Sequence, residues 1–437
     1  MAWAVAGIIE GFYGRPWTWD ERAEIMRFCH ERGMRHYVYA PKDDPKHRAD
    51  WRSPYERSVL DGFARLAGEG TLKLGFGISP GLSIDYDSAD DRAALASKVD
   101  QVAGVGAELV CLALDDIPFG GAEQGVAHAA LTTWLRDHLG DRAAVVLVPT
   151  EYVGVRSTPY LDALADGVPA DVPIAWTGDA VVNTTITVDE AHARALSLGG
   201  RAPLVWDNYP VNDGVMTDRL HLGPLWGRES GLVHECCGYL ANPLVQPRSS
   251  ELPLSSIAAW LQGGDPLTAW AAQAEAMDMR VFAEACDGAV PRALVAQAIE
   301  WIDDDHGYPG AVAPLHDWLV AASACAAPGL EDEAGPWLEQ AHTEAQLGLD
   351  ALRLVDLGRA ERFGKGVETA FAIGVMWAAV RQAKKTVMGA RYGLQPVLGQ
   401  RPDGTWSFRT ESVIEGQNAI DALVRAALAF FSIRSSR

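Results

Sequence analysis

Positive charge is scarce in this 437-residue chain, where 37 lysines and arginines stand against 58 aspartates and glutamates for a formal net charge of −21. No local basic patch offsets the imbalance, so a nucleic-acid backbone would be repelled and no nucleic-acid partner is expected. Surplus surface acid is most simply a solubility feature. Cysteine is scarce as well. The six present (Cys29, Cys111, Cys236, Cys237, Cys286 and Cys325) fall at no metal-ligand or redox spacing. Cys111 and the Cys236-Cys237 pair lie in apolar strand-like runs, where cysteine behaves as a small hydrophobe. The pattern argues against a disulfide framework and for a reduced, intracellular protein. No apolar run reads as long enough to span a bilayer, so no membrane partner is expected either. The opening Met1-Ala-Trp-Ala-Val-Ala-Gly-Ile-Ile9 lacks a basic start and runs straight into Glu10-Gly-Phe-Tyr-Gly-Arg-Pro-Trp17, a working loop; the expected location is cytoplasmic.

Several familiar catalytic signatures are also missing. Ser79 sits in no Gly-x-Ser-x-Gly context and beside no candidate histidine base, which argues against a Ser-His-Asp hydrolase. His36 falls at the start of a strand-like run and only His47 follows one closely, so no metal is expected. Gly75-Phe-Gly-Ile-Ser-Pro-Gly81 has Pro80 where a dinucleotide loop needs its third glycine. Asp303-Asp-Asp305 opens like a calcium loop but lacks the later ligands. No cofactor is implied.

What the chain does have is a regular alternation of strand and helix signals. Apolar strand-like runs occur at Val5–Ile9, His36–Ala40, Leu72–Ile78, Leu109–Leu114, Ala144–Val148, Val172–Ala175, Pro203–Trp206 and Glu235–Leu240. Between them lie helical stretches, three opened by capping boxes at Thr18-Trp-Asp-Glu21, Ser53-Pro-Tyr-Glu56 and Thr187-Val-Asp-Glu190. Eight such units predict an α/β fold, a (β/α)8 TIM barrel over residues 1–248. From about residue 250 the strand signal stops. Ala-, Leu- and Glu-rich segments follow, from Ser255–Leu261 through Val367–Met388 to Glu411–Phe430, and predict an all-α helical bundle over residues 249–437. An apolar helical face there is consistent with a homodimer and equally with a contribution to the cleft.

Nearly every strand ends in polar or aromatic residues: Glu10, Lys42-Asp43, Ser79, Asp115-Asp116, Tyr152, Trp176, Asp207-Asn208 and Asn242. In a barrel those ends converge on one face, where the active site lies. The sharpest is Leu109-Val-Cys-Leu-Ala-Leu-Asp-Asp-Ile-Pro118, a buried strand ending in two adjacent carboxylates. Taken alone, such a pair is more often a helix cap or a polar loop. Strand alternation predicts that Asp115 and Asp116 diverge to opposite sides of the backbone and take different roles. Trp176 and Trp206 stand where an aromatic ring could face a sugar. Paired carboxylates with aromatic walls and amides suit a glycosidase. Adjacent carboxylates on one strand fit the substrate-assisted form better than the usual pair on opposite sides of the bond. One would orient and polarise a 2-acetamido group while the other protonates the leaving oxygen, a division that close like charges favour.

Gly7-Ile-Ile-Glu-Gly-Phe-Tyr-Gly-Arg-Pro-Trp17, Tyr39-Ala-Pro-Lys-Asp-Asp44 with Lys46-His-Arg48, Ile78-Ser-Pro-Gly-Leu82, Asp115-Asp-Ile117, Pro149-Thr-Glu-Tyr152, Trp176-Thr-Gly178, Val205-Trp-Asp-Asn208, Leu222-Gly-Pro224 and Asn242-Pro243 resemble the family 84 glycoside hydrolases. These are β-N-acetylglucosaminidases that include the O-GlcNAcases, and the likeness covers the whole barrel in order. The resemblance implies that Asp115 orients the acetamido group and that Asp116 is general acid, then base. It implies that Tyr152 and Trp206 line the acetamido pocket beside Asn208. Gly11, through its backbone, and Lys42 would hold sugar hydroxyls, with Asp213 and Asn242 on the far ones. It implies a retaining exo-enzyme working through an oxazoline, without a metal, on a β-GlcNAc-bearing glycoprotein or glycoside. The same chemistry on cell-wall, chitin or hyaluronan-derived fragments is an alternative, as is a non-catalytic sugar-binding barrel.

Overall fold

The computed structural model describes residues 3–389, 391–400, 406–415 and 417–436. The first part of the chain runs β1 (Val5–Glu10), α1 (Trp19–Glu31), β2 (His36–Tyr39), α2 (Arg57–Gly68), β3 (Lys73–Ile78), α3 (Ala89–Gly104), β4 (Leu109–Ala113), α4 (Gly121–Leu139), β5 (Ala144–Val148), α5 (Pro159–Gly167), β6 (Ala175–Trp176), α6 (Val188–Ser197), β7 (Leu204–Asp207), α7 (Leu232–Glu235), β8 (Gly238–Ala241) and α8 (Pro247–Leu261). The eight strands form one parallel sheet in the order β5-β4-β3-β2-β1-β8-β7-β6. A parallel bridge between Leu147 and Ile174 links its two ends, so the sheet is a nearly closed barrel. The eight-stranded (β/α) architecture read from the sequence is the one observed.

The barrel interior is built by period-two alternation. Val5 and Ile9, Val38 and Ala40, Leu109, Cys111 and Ala113, Val146 and Val148, Leu204 and Trp206, and Leu240 form one buried cluster. Alternate residues of a strand share a face. Continuing five of these series two residues on arrives at Gly11, Lys42, Asp115, Asn208 and Asn242; the Val146, Val148 series arrives at Thr150. The register that packs the core therefore also aims these residues at the mouth of the barrel.

Local departures have local causes. Thr18 and Thr187 form reciprocal capping boxes as expected. The box at Ser53 does not form: α2 starts at Arg57 without a side-chain cap, and Ser53 Oγ donates instead to Asp50 Oδ1 at 2.6 Å. The sixth strand shrinks to two residues because Pro173 has no N–H for the ladder. Its carbonyl still accepts Leu147 N at 2.9 Å. The eighth begins at Gly238, since Leu232–Glu235 closes into a helical turn.

Two compact units divide the chain. One comprises Met1–Gly214, Pro224–Ala269 and Gly393–Val413; the other comprises Val215–Gly223, Trp270–Tyr392 and Ile414–Arg437. Residue 248 thus falls inside α8, which belongs to the barrel unit: Trp3 Nε1 donates to Leu261 O at 3.1 Å, and Trp260 packs on Trp3 and Tyr239. The last strand, like the others, is followed by its covering helix.

The remaining elements are α9 (Pro266–Ala276), α10 (Arg280–Asp287), α11 (Ala289–Glu300), α12 (Tyr308–Ala322), α13 (Glu331–Arg359), α14 (Phe363–Val380), β9 (Arg391–Gln400), β10 (Trp406–Glu415) and α15 (Ala419–Ser435). The region is mainly helical, but β9 and β10 pair as a two-stranded sheet where only helix was expected. Trp406-Ser-Phe-Arg-Thr-Glu411 alternates apolar or β-branched with polar residues, the strand period rather than the helical one. A second correction concerns α14, which is long and apolar enough to cross a membrane by length and composition. Lys365 and Glu368 interrupt the apolar run in sequence.

Candidate active site

At the mouth of the barrel, Asp115 and Asp116 follow β4 and have different surroundings. Asp115 is buried, and its Oδ2 accepts a 2.6 Å hydrogen bond from Lys42 Nζ. Its Oδ1 is buried too and has no hydrogen-bond partner among the described residues. The Asp116 side chain is 34% exposed against 9% for Asp115. Tyr13 OH donates to Asp116 Oδ2 and Tyr152 OH to Oδ1, each at 3.1 Å. Arg48 Nη1 lies 3.7 Å from Oδ2, and its Nη2 donates to the Asp116 carbonyl at 3.1 Å. One carboxylate is dry and paired with an ammonium; the other is wetter and faces phenols and a guanidinium.

The strand alternation expected to separate the two side chains does not extend to Asp116. Asp116 has φ of +53°, in the left-handed region, which breaks strand alternation. Both carboxylates act on the same neighbours. Burial would lower the pKa of Lys42, but Asp115 and Asp116 more than offset it and hold the ammonium above the usual lysine value. Burial, then Asp116, raises Tyr13. Burial, then Asp116 and Asp115, raises Tyr152 well above the usual phenol value. Both phenols are therefore neutral donors.

A second hydrogen-bonded chain runs through the ends of β1, β7 and β8. Gly11 N donates to Asn242 Oδ1 at 3.2 Å, and Asn242 Nδ2 to Asn208 Oδ1 at 3.0 Å. Asn208 Oδ1 also accepts Trp206 Nε1 at 2.9 Å, while its Nδ2 donates to Val181 O at 2.9 Å. Trp206 packs against Gly11 and Lys42: a Cβ on Gly11 would sit 2.4 Å from its Cζ2, and Lys42 Nζ lies 5.8 Å from its ring centroid. Asp213 Oδ2 accepts Tyr13 N at 2.7 Å, and burial raises the pKa of this carboxyl.

The structure thus joins Gly11, Lys42, Tyr152, Trp206, Asn208, Asp213 and Asn242 to the aspartate pair through contacts or shared partners. Trp176 is different. It is fully buried, with Nε1 donating to Gly154 O at 2.9 Å, so its ring does not face a sugar. It clamps the Tyr152 loop from behind, together with buried Arg194, whose Nη2 donates to Glu151 O at 2.7 Å. Glu10 and Asp207, counted among the polar strand ends, are also elsewhere. They occupy the outward register and form buried ion pairs with Arg22 and Arg228. Tyr13 and Arg48 went unassigned although both follow barrel strands. That placement was the available signal.

A family model described as beta-N-acetylglucosaminidase matches residues 6–290. The protein O-GlcNAcases of Rattus norvegicus and Mus musculus are each 34% identical over 273 residues. The match covers 59% of this chain but only 30% of theirs. Among solved structures, a mutant of the O-GlcNAc hydrolase of Thermobaculum terrenum superposes with a TM-score of 0.82 at 24% identity. That superposition covers 98% of this chain and 94% of the other, and is a likeness of fold.

Proposed function

The chain belongs to the beta-N-acetylglucosaminidase family of glycoside hydrolases, and from that premise we propose that it is a retaining exo-enzyme that removes terminal β-linked GlcNAc by substrate-assisted catalysis. The sugar's acetamido oxygen attacks the anomeric carbon, the bond to the aglycone oxygen breaks, and Asp116 delivers a proton to that oxygen. The product of this step is a protonated oxazoline (oxazolinium), whose N–H stays hydrogen-bonded to Asp115. Water then opens it, giving its proton to Asp116, and the β configuration is restored. Asp115 accepts the acetamide N–H and stabilises the positive charge that grows on that group.

The observation that carries this reading is the unequal use of Asp115. One oxygen is held by Lys42, and the other is a buried acceptor with no hydrogen-bond partner among the described residues. A buried carboxylate oxygen left unpaired is costly, and an N–H donor relieves it. Asp116, more exposed, suits a group that exchanges protons with a leaving alcohol and with water. Tyr152 and Trp206 bound the acetamido pocket with Asn208. Gly11, Lys42, Asp213 and Asn242 serve the sugar hydroxyls, with Lys42 also holding Asp115 in place through its 2.6 Å contact with Oδ2.

We take GlcNAc on serine or threonine of proteins as the substrate, a reading supported by the names of the rat and mouse relatives. The test is turnover by the whole chain of an aryl β-GlcNAc glycoside, the matching β-glucoside and a peptide carrying GlcNAc on serine. GlcNAc should leave the first and third, and the glucoside should survive. Cleavage of chitobiose with the peptide untouched would move the substrate to oligosaccharides. Binding of all GlcNAc compounds without release would make the barrel a sugar-binding module.

A further inference from the structure

Asp116 holds a left-handed backbone conformation, which is uncommon outside glycine though better tolerated by aspartate than by most residues, and which persists where the surroundings stabilise it. We propose, on the reading of Asp116 as acid and base, that Arg48 is the positioning residue that imposes it. The guanidinium engages main chain and side chain together. Nη2 donates to the Asp116 carbonyl at 3.1 Å, and Nη1 lies 3.7 Å from Oδ2. Nη1 also donates to Tyr13 OH at 3.2 Å, and Tyr13 OH donates in turn to Oδ2 at 3.1 Å. The planar fork of arginine can span these acceptors at once, and the point charge of lysine cannot.

Arg48 itself rises from a fixed base. The preceding residue, His47, is fully buried; its Nδ1 lies 2.9 Å from Gly77 O, and its carbonyl accepts Ser79 N at 2.8 Å. Burial, then Lys42, pushes His47 down to about 3, so it stays neutral and anchors the loop to β3 and the turn beyond it. Rigidity thus passes from β3 through His47 to Arg48, and from Arg48 to the backbone of Asp116. Without the carbonyl contact, Asp116 relaxes toward a strand-like φ, and alternation carries its carboxyl away from the leaving oxygen.

The test compares Arg48→Gln, Arg48→Lys and Asp116→Asn by kcat/KM, which reports the steps up to loss of the aglycone. Each is measured on an activated aryl β-GlcNAc glycoside and on an alkyl one that needs protonation. A misplaced acid costs on the order of 100-fold. Arg48→Gln should therefore lose about 100-fold on the alkyl glycoside and less than about threefold on the aryl one, following Asp116→Asn in direction. Arg48→Lys, which keeps the charge, should show the same bias at about 10-fold, and it decides the matter if the glutamine variant melts early. Equal losses on both glycosides, or wild-type rates on both, would overturn the role of Arg48. If Asp116→Asn itself shows no leaving-group bias, the assignment of the acid falls instead.

Discussion

Each carboxylate of the pair has its own consequence under substitution. Asp115→Asn removes the charge that pairs with Lys42 and puts a donor amide where Oδ1 must accept. Activity should fall by about 100-fold or more with every leaving group, because the acetamide is polarised before the aglycone matters. Steady-state rates on aryl and alkyl glycosides check this, and a loss below about fivefold would make Asp115 a structural residue. Gly11→Ala tests the floor of the site. The new Cβ would lie 2.4 Å from Trp206 Cζ2, so the indole or the Gly11 strand end must move. Overpacking of this kind costs about 1–3 kcal/mol. A fall in kcat/KM of at least about 10-fold should accompany the lower melting temperature, since Trp206 and Asn242 both move. Unchanged kinetics would show that the floor is not shared with substrate.

Between residue and barrel, hydrogen-bonded chains set the loops that carry the site. Tyr86 OH lies 2.8 Å from His128 Nε2, and His128 Nδ1 lies 2.9 Å from Tyr160 OH. Tyr160 OH accepts Thr150 N at 2.9 Å, and Thr150 Oγ1 donates to Leu114 O at 2.7 Å, one residue before Asp115. Every proton finds a place if Tyr160 donates to Nδ1 and His128 carries its hydrogen on Nε2. Tyr160→Phe leaves buried Thr150 N and His128 Nδ1 unpaired and should cost about 1–3 kcal/mol in chemical denaturation. A stability equal to wild type would mean that the chain is dispensable. Elements of this kind are also where the sequence stopped being legible. The strands were readable because one alternation both fills the barrel and ends in polar groups. Asp115, Lys42, Asn208 and Asn242 continue it. What alternation does not contain was lost: the left-handed turn at Asp116, the outward pairing of Glu10 and Asp207, and the burial of Trp176. Arg194 clamps a loop 40 residues earlier in the chain at Gly154, a relation with no local signal.

Over the whole molecule, buried titratable groups give stability a defined pH dependence. Burial, then Lys42, pushes His47 down to about 3, and burial pushes His128 to about 4. In the unfolded chain both return to about 6.5. Between those values the unfolded chain binds more protons, so this stability is complete above about 6.5 and is lost as pH falls through the window. Glu344 on α13 works in the opposite direction. Burial raises it to about 7, although Asn418 and Gln340 donate to its two oxygens at 2.9 and 2.8 Å. Here the folded chain holds the extra proton, and stability declines as pH rises from about 4.5 to about 7. Thermal unfolding from pH 5 to 8 should show Glu344→Gln gaining on wild type as pH rises, by up to about 3 kcal/mol. A constant gap would mean that Glu344 does not titrate in this range.

The central claim is that the sugar's own acetamido oxygen is the nucleophile. Replacing the acetyl group of an aryl β-GlcNAc glycoside by mono-, di- and trifluoroacetyl weakens that oxygen stepwise and leaves the aryl leaving group untouched. The account predicts a steep, monotonic fall in kcat/KM across the series. Rates that stay level would place the nucleophile on the enzyme and contradict the roles given to Asp115 and Asp116.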